Sequence, residues 1–140
     1  VLLAAAALAT TFEGHRPQPY RDVTGVLTVC YGHTGAVESR QYTPAECAQL
    51  LRVDMAEANT AVHRCIRAPM TPGQEAALTD ATYNVGPAIV CGSTLSKHAN
   101  AGQWPEACAQ LSRWVYAGGK ALPGLVKRRA AERAMCEGKP

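Results

Sequence analysis

Phe12–Thr34 reads FEGHRPQPYRDVTGVLTVCYGHT, and its pattern differs from everything around it. Pro17, Pro19, Gly25, Gly32 and Gly35 fall among Val, Thr and Tyr, a mixture that suits short strands and turns better than a helix. Val26, Thr28 and Cys30 alternate with Leu27, Val29 and Tyr31 in the two-residue period of a strand, so a small antiparallel sheet is expected within 17–42. Helical signals flank it on both sides. Upstream, VLLAAAALATTF is a first helix with one buried face. Downstream, Thr43-Pro44-Ala45-Glu46 supplies an N-cap threonine, a proline at the first helical position and a glutamate at the capping-box position. Leu51, Met55, Ala58 and Val62 then recur at helical spacing, which predicts a long helix over 44–65. Thr71-Pro72-Gly73-Gln74 repeats the start signal for a helix reaching Gly86. Shorter helices are expected at 93–100 and 105–116, then a break at Gly118-Gly119 and a last helix after Pro123. The charged run Lys127, Arg128, Arg129, Glu132 and Arg133 on that helix reads as a solvated face.

The chain has 140 residues, the size of one domain with its own core. At 47% hydrophobic and 18% charged it has the balance of a globular protein, which argues against disorder and leaves no room for a long charged tail. A net charge of +3 suits an anionic polymer such as a cell wall but is too small for the basic stripe of a nucleic-acid binder. The opening segment is apolar over about half the length that a bilayer crossing requires. It lacks an initiating Met and a basic flank, as does a chain that starts after cleavage or as a truncated form. A remnant of an export or anchor segment, touching a membrane transiently, is the alternative to a plain first helix.

Six cysteines without a CxxC pair or Cys/His spacing read as disulfides in an oxidising compartment, with buried free thiols as the alternative. His15, His63 and His98 show no metal-ligand spacing either, and neither metal nor cofactor is expected. Cys47 and Cys65 lie on one predicted helix, about 27 Å apart at the usual rise, far beyond the ~7 Å limit for bridging. Of the connectivities that remain, Cys30 with Cys47, Cys91 with Cys108 and Cys65 with Cys136 is the expected set.

Glu13 stands where the apolar helix meets the turn-rich segment, a place where a carboxyl group is partly desolvated, as a general acid needs. Asp22 follows in a polar turn that keeps it ionised. Thr28 lies on the next strand, its hydroxyl suited to orienting a water held by Asp22. Two carboxyl groups in unlike environments form the acid and base pair of glycosidic hydrolysis. Taken alone the spacing is weak evidence, since Glu13 can cap or pair with Arg16, Asp22 can be a turn residue and Thr28 a strand former.

Longer matches add to it. Glu13-Gly14-x-Arg16, Tyr20-x-Asp22, Gly25, Thr28 and Gly32-His33-Thr34 resemble the active-site segment of the phage-type lysozymes, the endolysins of glycoside hydrolase family 24. Tyr83-Asn84-Val85-Gly86, Cys91-Gly92-Ser93-Thr94-Leu95, Arg113-Trp114-Val115-Tyr116-Ala117-Gly118-Gly119 and Leu122-Pro123-Gly124-Leu125 continue the resemblance. The departure is Leu27, which precedes Thr28 where many relatives carry an aromatic.

The resemblance implies a single α+β, mostly α domain over 1–140, bilobed and lysozyme-like. Its parts are a first helix over 1–13, a small antiparallel sheet lobe over 14–43, the linking helix over 44–65 and a helical lobe over 66–140. It implies a muramidase that cleaves the β-1,4 bond between N-acetylmuramic acid and N-acetylglucosamine with inversion. Glu13 is then the general acid, Asp22 the carboxylate that activates water, and Thr28 the residue that holds that water. His33 is expected to be structural and hydrogen-bonded. Asn84 is a candidate contact to substrate or a helix cap, Tyr20 lines the cleft or the core, Arg16 steadies Glu13 or is solvated, and Trp104 and Trp114 are core. The opening alanines and the cysteines suit the exported endolysins whose weak anchor can leave the membrane. This implies a monomer in the host periplasm acting on peptidoglycan strands, with no nucleic acid involved. The rival readings are a lytic transglycosylase, which uses one glutamate and no activated water, and a wall-binding protein without turnover.

Overall fold

The computed structural model describes residues 1–139, and it is mostly helical with a small antiparallel sheet. Helix α1 spans Leu2–Glu13, strands β1, β2 and β3 span Arg16–Arg21, Leu27–Cys30 and His33–Thr34, and the long helix α2 spans Pro44–Cys65. The rest comprises α3 (Pro72–Val85), α4 (Thr94–Asn100), α5 (Trp104–Gln110), the two-stranded hairpin β4 (Tyr116–Ala117) and β5 (Lys120–Ala121), and α6 (Pro123–Cys136). Strands β1, β2 and β3 pair in sequence order, with Tyr20 opposite Thr28 and Thr28 opposite Thr34.

Both Thr-Pro helix starts form full capping boxes. Thr43 accepts from Glu46 N at 3.1 Å while the Glu46 side chain accepts from Thr43 N at 3.0 Å, and Thr71 and Gln74 repeat the arrangement on α3. The α5 segment ends before the expected 116. Its α-helix stops at Gln110 and a single 3-10 turn reaches Arg113, because Tyr116 and Ala117 leave to pair with Lys120 and Ala121 across the Gly118-Gly119 turn.

Three buried clusters hold these elements together. Ala5 and Ala9, four residues apart on α1, let that helix lie close against Leu51 and Met55 of α2 and Ala76 of α3. Val29, Cys30, Tyr42 and Cys47 fasten the sheet to the start of α2. The largest cluster, with Val62, Leu78, Ile89, Leu95 and Leu111 at its centre, is the helical core, and Trp104 and Trp114 pack partly buried on its edge. Gly73 brings the start of α3 against the end of α6, where an added Cβ would stand 2.7 Å from the Met135 carbonyl. Leu2 and Leu3 remain exposed on α1, and no helix among the described residues is long and apolar enough to cross a membrane.

The bridges are Cys30–Cys47, Cys65–Cys91 and Cys108–Cys136. The first agrees with the sequence reading; the expected Cys91–Cys108 and Cys65–Cys136 are corrected. Cys65 closes α2 beside the turn at Pro87–Ile89, and Asn100 clasps the same spot by donating to the Cys65 carbonyl and accepting from Arg67 N. That leaves Cys108 on α5 to meet the end of α6, which packs against it. The partners are set by how helices stack, and neighbours in sequence are not neighbours here.

The final helix brings a second correction. Lys127 and Arg133 reach solvent, but Arg128, Arg129 and Glu132 are buried, with exposures of 3%, 1% and 0%. They point inward because Asp80, Glu13 and Asn84 on other elements supply charge and hydrogen bonds that make their burial tolerable.

Candidate active site

Glu13 is the last residue of α1, and its side chain is enclosed on two sides. Arg128 Nη1 donates to Glu13 Oε1 at 2.6 Å, while Oε2 lies against Gly32, where an added Cβ would stand 2.8 Å away. Of the two readings of Arg16, the solvated one holds: it is exposed, with its guanidinium 3.8 Å from the Tyr20 ring centre. The arginine that holds Glu13 comes from the far end of the chain.

Arg128 is itself fixed from behind. Its Nε and Nη2 donate to the two oxygens of Asp80 at 3.0 and 2.8 Å, a fork that leaves Nη1 for Glu13. Arg129, one residue on, meets Glu132 at 2.6 Å and donates to Asn84 Oδ1 at 2.7 Å. Asn84, a candidate for substrate contact, therefore has its amide oxygen committed to an arginine. Two guanidinium charges face three carboxyl groups in this cluster, so one carboxyl proton makes it neutral. Burial, followed by the hydrogen bond with Asp80, pushes the Glu132 carboxyl up to about 10.

Asp22 has the opposite surroundings. Thr24 Oγ1, Thr24 N and Val26 N donate to Asp22 Oδ1 at 2.7, 2.9 and 2.9 Å. The Thr24 side-chain bond, then the Val26 backbone bond, hold its carboxyl below the usual aspartate range, so it is ionised at neutral pH. Thr28 is buried on β2 and donates its hydroxyl proton to the Val26 carbonyl at 2.9 Å. Its oxygen can then only accept from anything else it meets. Tyr20 stands opposite Thr28 on β1. Burial raises its phenol most, and the charges of Glu13 and Asp22 add to that against Arg16.

A cleft of about 380 Å³ opens beside Gly32. The sheet lobe contributes Gly32 and Thr34, α2 contributes Asp54, Glu57 and Arg64, and α3 contributes Tyr83. His33 meets Asp54 Oδ2 through Nδ1 at 2.7 Å and the Gly35 carbonyl through Nε2 at 3.0 Å, tying the sheet to α2 at the cleft wall. Burial pushes the Asp54 carboxyl up, while the His33 bond works against it. Tyr83, whose phenol burial raises well above its ordinary value, donates to the Tyr31 carbonyl and ties α3 to the same sheet.

The sequence nominates Glu13, Asp22, Thr28 and Tyr20 as candidates; it does not single out Arg128, Asp80, Glu132 or the α2 residues of the cleft. The buried run on α6 gave one usable signal. Arg128 and Glu132 stand four residues apart on a helix whose opposite face already carries Lys127 and Arg133.

A helical lobe and a small sheet lobe flanking a polar cleft, with an enclosed glutamate at the end of the first helix and an open aspartate in the turn after β1, fit a lysozyme-type hydrolase. Residues 10–132 match the profile of the phage lysozyme family. The SAR-endolysin of Escherichia phage Mu is 46% identical over 118 residues, spanning 84% of this chain and 69% of that one. Among solved structures, the active form of the P1 phage endolysin Lyz superposes with a TM-score of 0.86 at 27% identity, covering 96% of this chain and 83% of that one. The muramidase domain of SpmX from Asticaccaulis excentricus does so with a TM-score of 0.85 at 30% identity, covering 95% and 94%. The chain belongs to the phage lysozyme family.

Proposed function

We propose that this enzyme cleaves the β-1,4 bond between N-acetylmuramic acid and N-acetylglucosamine with inversion, using Glu13 as acid and Asp22 as base. As a phage lysozyme it is a muramidase, an endolysin that degrades peptidoglycan. The finer reading rests on the contrast between the two carboxyl groups. Glu13 is enclosed, its side chain 20% exposed and oriented by Arg128, as suits a proton donor to the leaving oxygen. Asp22 is open and ionised, and its Oδ2 has no protein donor among the described residues. A water there can give one proton toward Asp22 and the other toward Thr28, whose own proton is occupied by Val26. That leaves the water oxygen's lone pair for the anomeric carbon.

The substrate is the glycan strand of peptidoglycan, the enzyme acts as a monomer, and its place of work is the host periplasm after export. Exposed Leu2 and Leu3 on α1 support a transient membrane contact before release.

Glu13→Gln is expected to lower clearing of permeabilised cells by more than roughly a hundredfold while the protein still folds and still binds wall fragments. Unchanged clearing would remove Glu13 from the mechanism. NMR of the first products should show the α-anomer at the new reducing end; the β-anomer means retention, and anhydromuramic ends mean a transglycosylase.

A further inference from the structure

We infer that Asp80, buried on α3 behind the site, is a positioning residue that acts on Glu13 through Arg128. The inference rests on Glu13 being the general acid. An arginine side chain has many rotamers, and one reaching from α6 to α1 has no reason of its own to hold a single direction. Asp80 supplies that reason. It takes the Nε and Nη2 edge of the guanidinium through both oxygens at 3.0 and 2.8 Å, which fixes the plane of the group as well as its place. Nη1 is then aimed at Glu13 Oε1 at 2.6 Å. Gly32 limits the other side of the carboxyl, so its orientation is set from both faces.

Charge points the same way. Arg128 faces Glu13 from α1, Asp80 and Tyr83 from α3, and Arg129 and Glu132 from its own helix, with the Phe12 ring centre at 6.0 Å. Asp80 and Glu13 are the carboxyl groups in hydrogen-bond contact with Arg128, which is shared between them, whereas Glu132 stands 3.9 Å from its Nε. Without the Asp80 charge, Arg128 would have Glu13 as its sole anionic partner in direct contact. A carboxyl bound that tightly gives up its proton at lower pH and makes a poorer acid above it.

The test is steady-state kinetics on purified peptidoglycan with Asp80→Asn, which keeps the shape and removes the charge. The expected result is a fall in kcat of roughly tenfold or more, with KM changed less than twofold. The alkaline limb of the kcat profile is expected to move to lower pH. Arg128→Lys, which keeps a charge but has no fork, should give the same split between kcat and KM and carries the test if Asp80→Asn does not fold. Leu95→Ala, a cavity variant in the helical core, serves as the control for lost stability: it should lower the melting temperature and leave the pH profile in place. A wild-type kcat and profile in a folded Asp80→Asn overturns the inference. Activity surviving Glu13→Gln overturns instead the assignment of the acid on which it rests.

Discussion

Gly32 leaves the space that a side chain would fill to the Glu13 carboxylate, and its φ of +87° favours glycine independently of that contact. Gly32→Ala therefore meets two penalties. The backbone cost is about 1 kcal/mol, and relieving the contact turns Glu13 away from Arg128. The expected outcome is a small drop in melting temperature with a much larger drop in clearing rate, measured on one preparation. Asp22 supplies a pH prediction. Its carboxyl is held low first by Thr24, and the base must be ionised to work, so activity is lost as pH falls through its pKa. Thr24→Ala removes that leading cause, and the acidic limb of the rate profile should move to higher pH with the alkaline limb unmoved. A shift in the opposite direction would remove Asp22 from the role of base.

Helix α2 shows what local chemistry can specify. Thr43, Pro44 and Glu46 start it, the stripe of Leu51, Met55 and Val62 faces inward, and each of these features is complete within a few residues of sequence. Thr43→Ala should cost about 1 kcal/mol in denaturant unfolding, lowering the midpoint without changing the slope. Helix α6 shows the limit. Its charged run has the composition of a solvated face, and the rule that arginine and glutamate stay outside fails only because their partners exist. Those partners, Asp80 on α3 and Glu13 on α1, lie 48 and 115 residues from Arg128 in sequence. Nothing near Arg128 announces them. The same contrast divides the site: the strand-and-turn segment that carries Asp22 and Thr28 was legible from its own pattern, while the second layer that orients Glu13 depends on helix packing.

At the scale of the whole molecule, the bridges and the ion cluster join parts that sequence keeps apart. Cys65–Cys91 and Cys108–Cys136 close loops of 26 and 28 residues, each of which restricts the unfolded chain by about 3.5 kcal/mol. Peptide mapping without reductant should recover those two pairs and Cys30–Cys47; a Cys91–Cys108 peptide would overturn the arrangement. The pair between Glu13 and Arg128 has a further meaning in time. A ribosome delivers Glu13 and Asp22 before α6, so a growing chain carries Glu13 115 residues before it carries the arginine that contacts it. A chain that stops short of Arg128 has both carboxyl groups and lacks the guanidinium that contacts Glu13. If Glu13 is the acid, its orientation is thus completed only once α6 has been made.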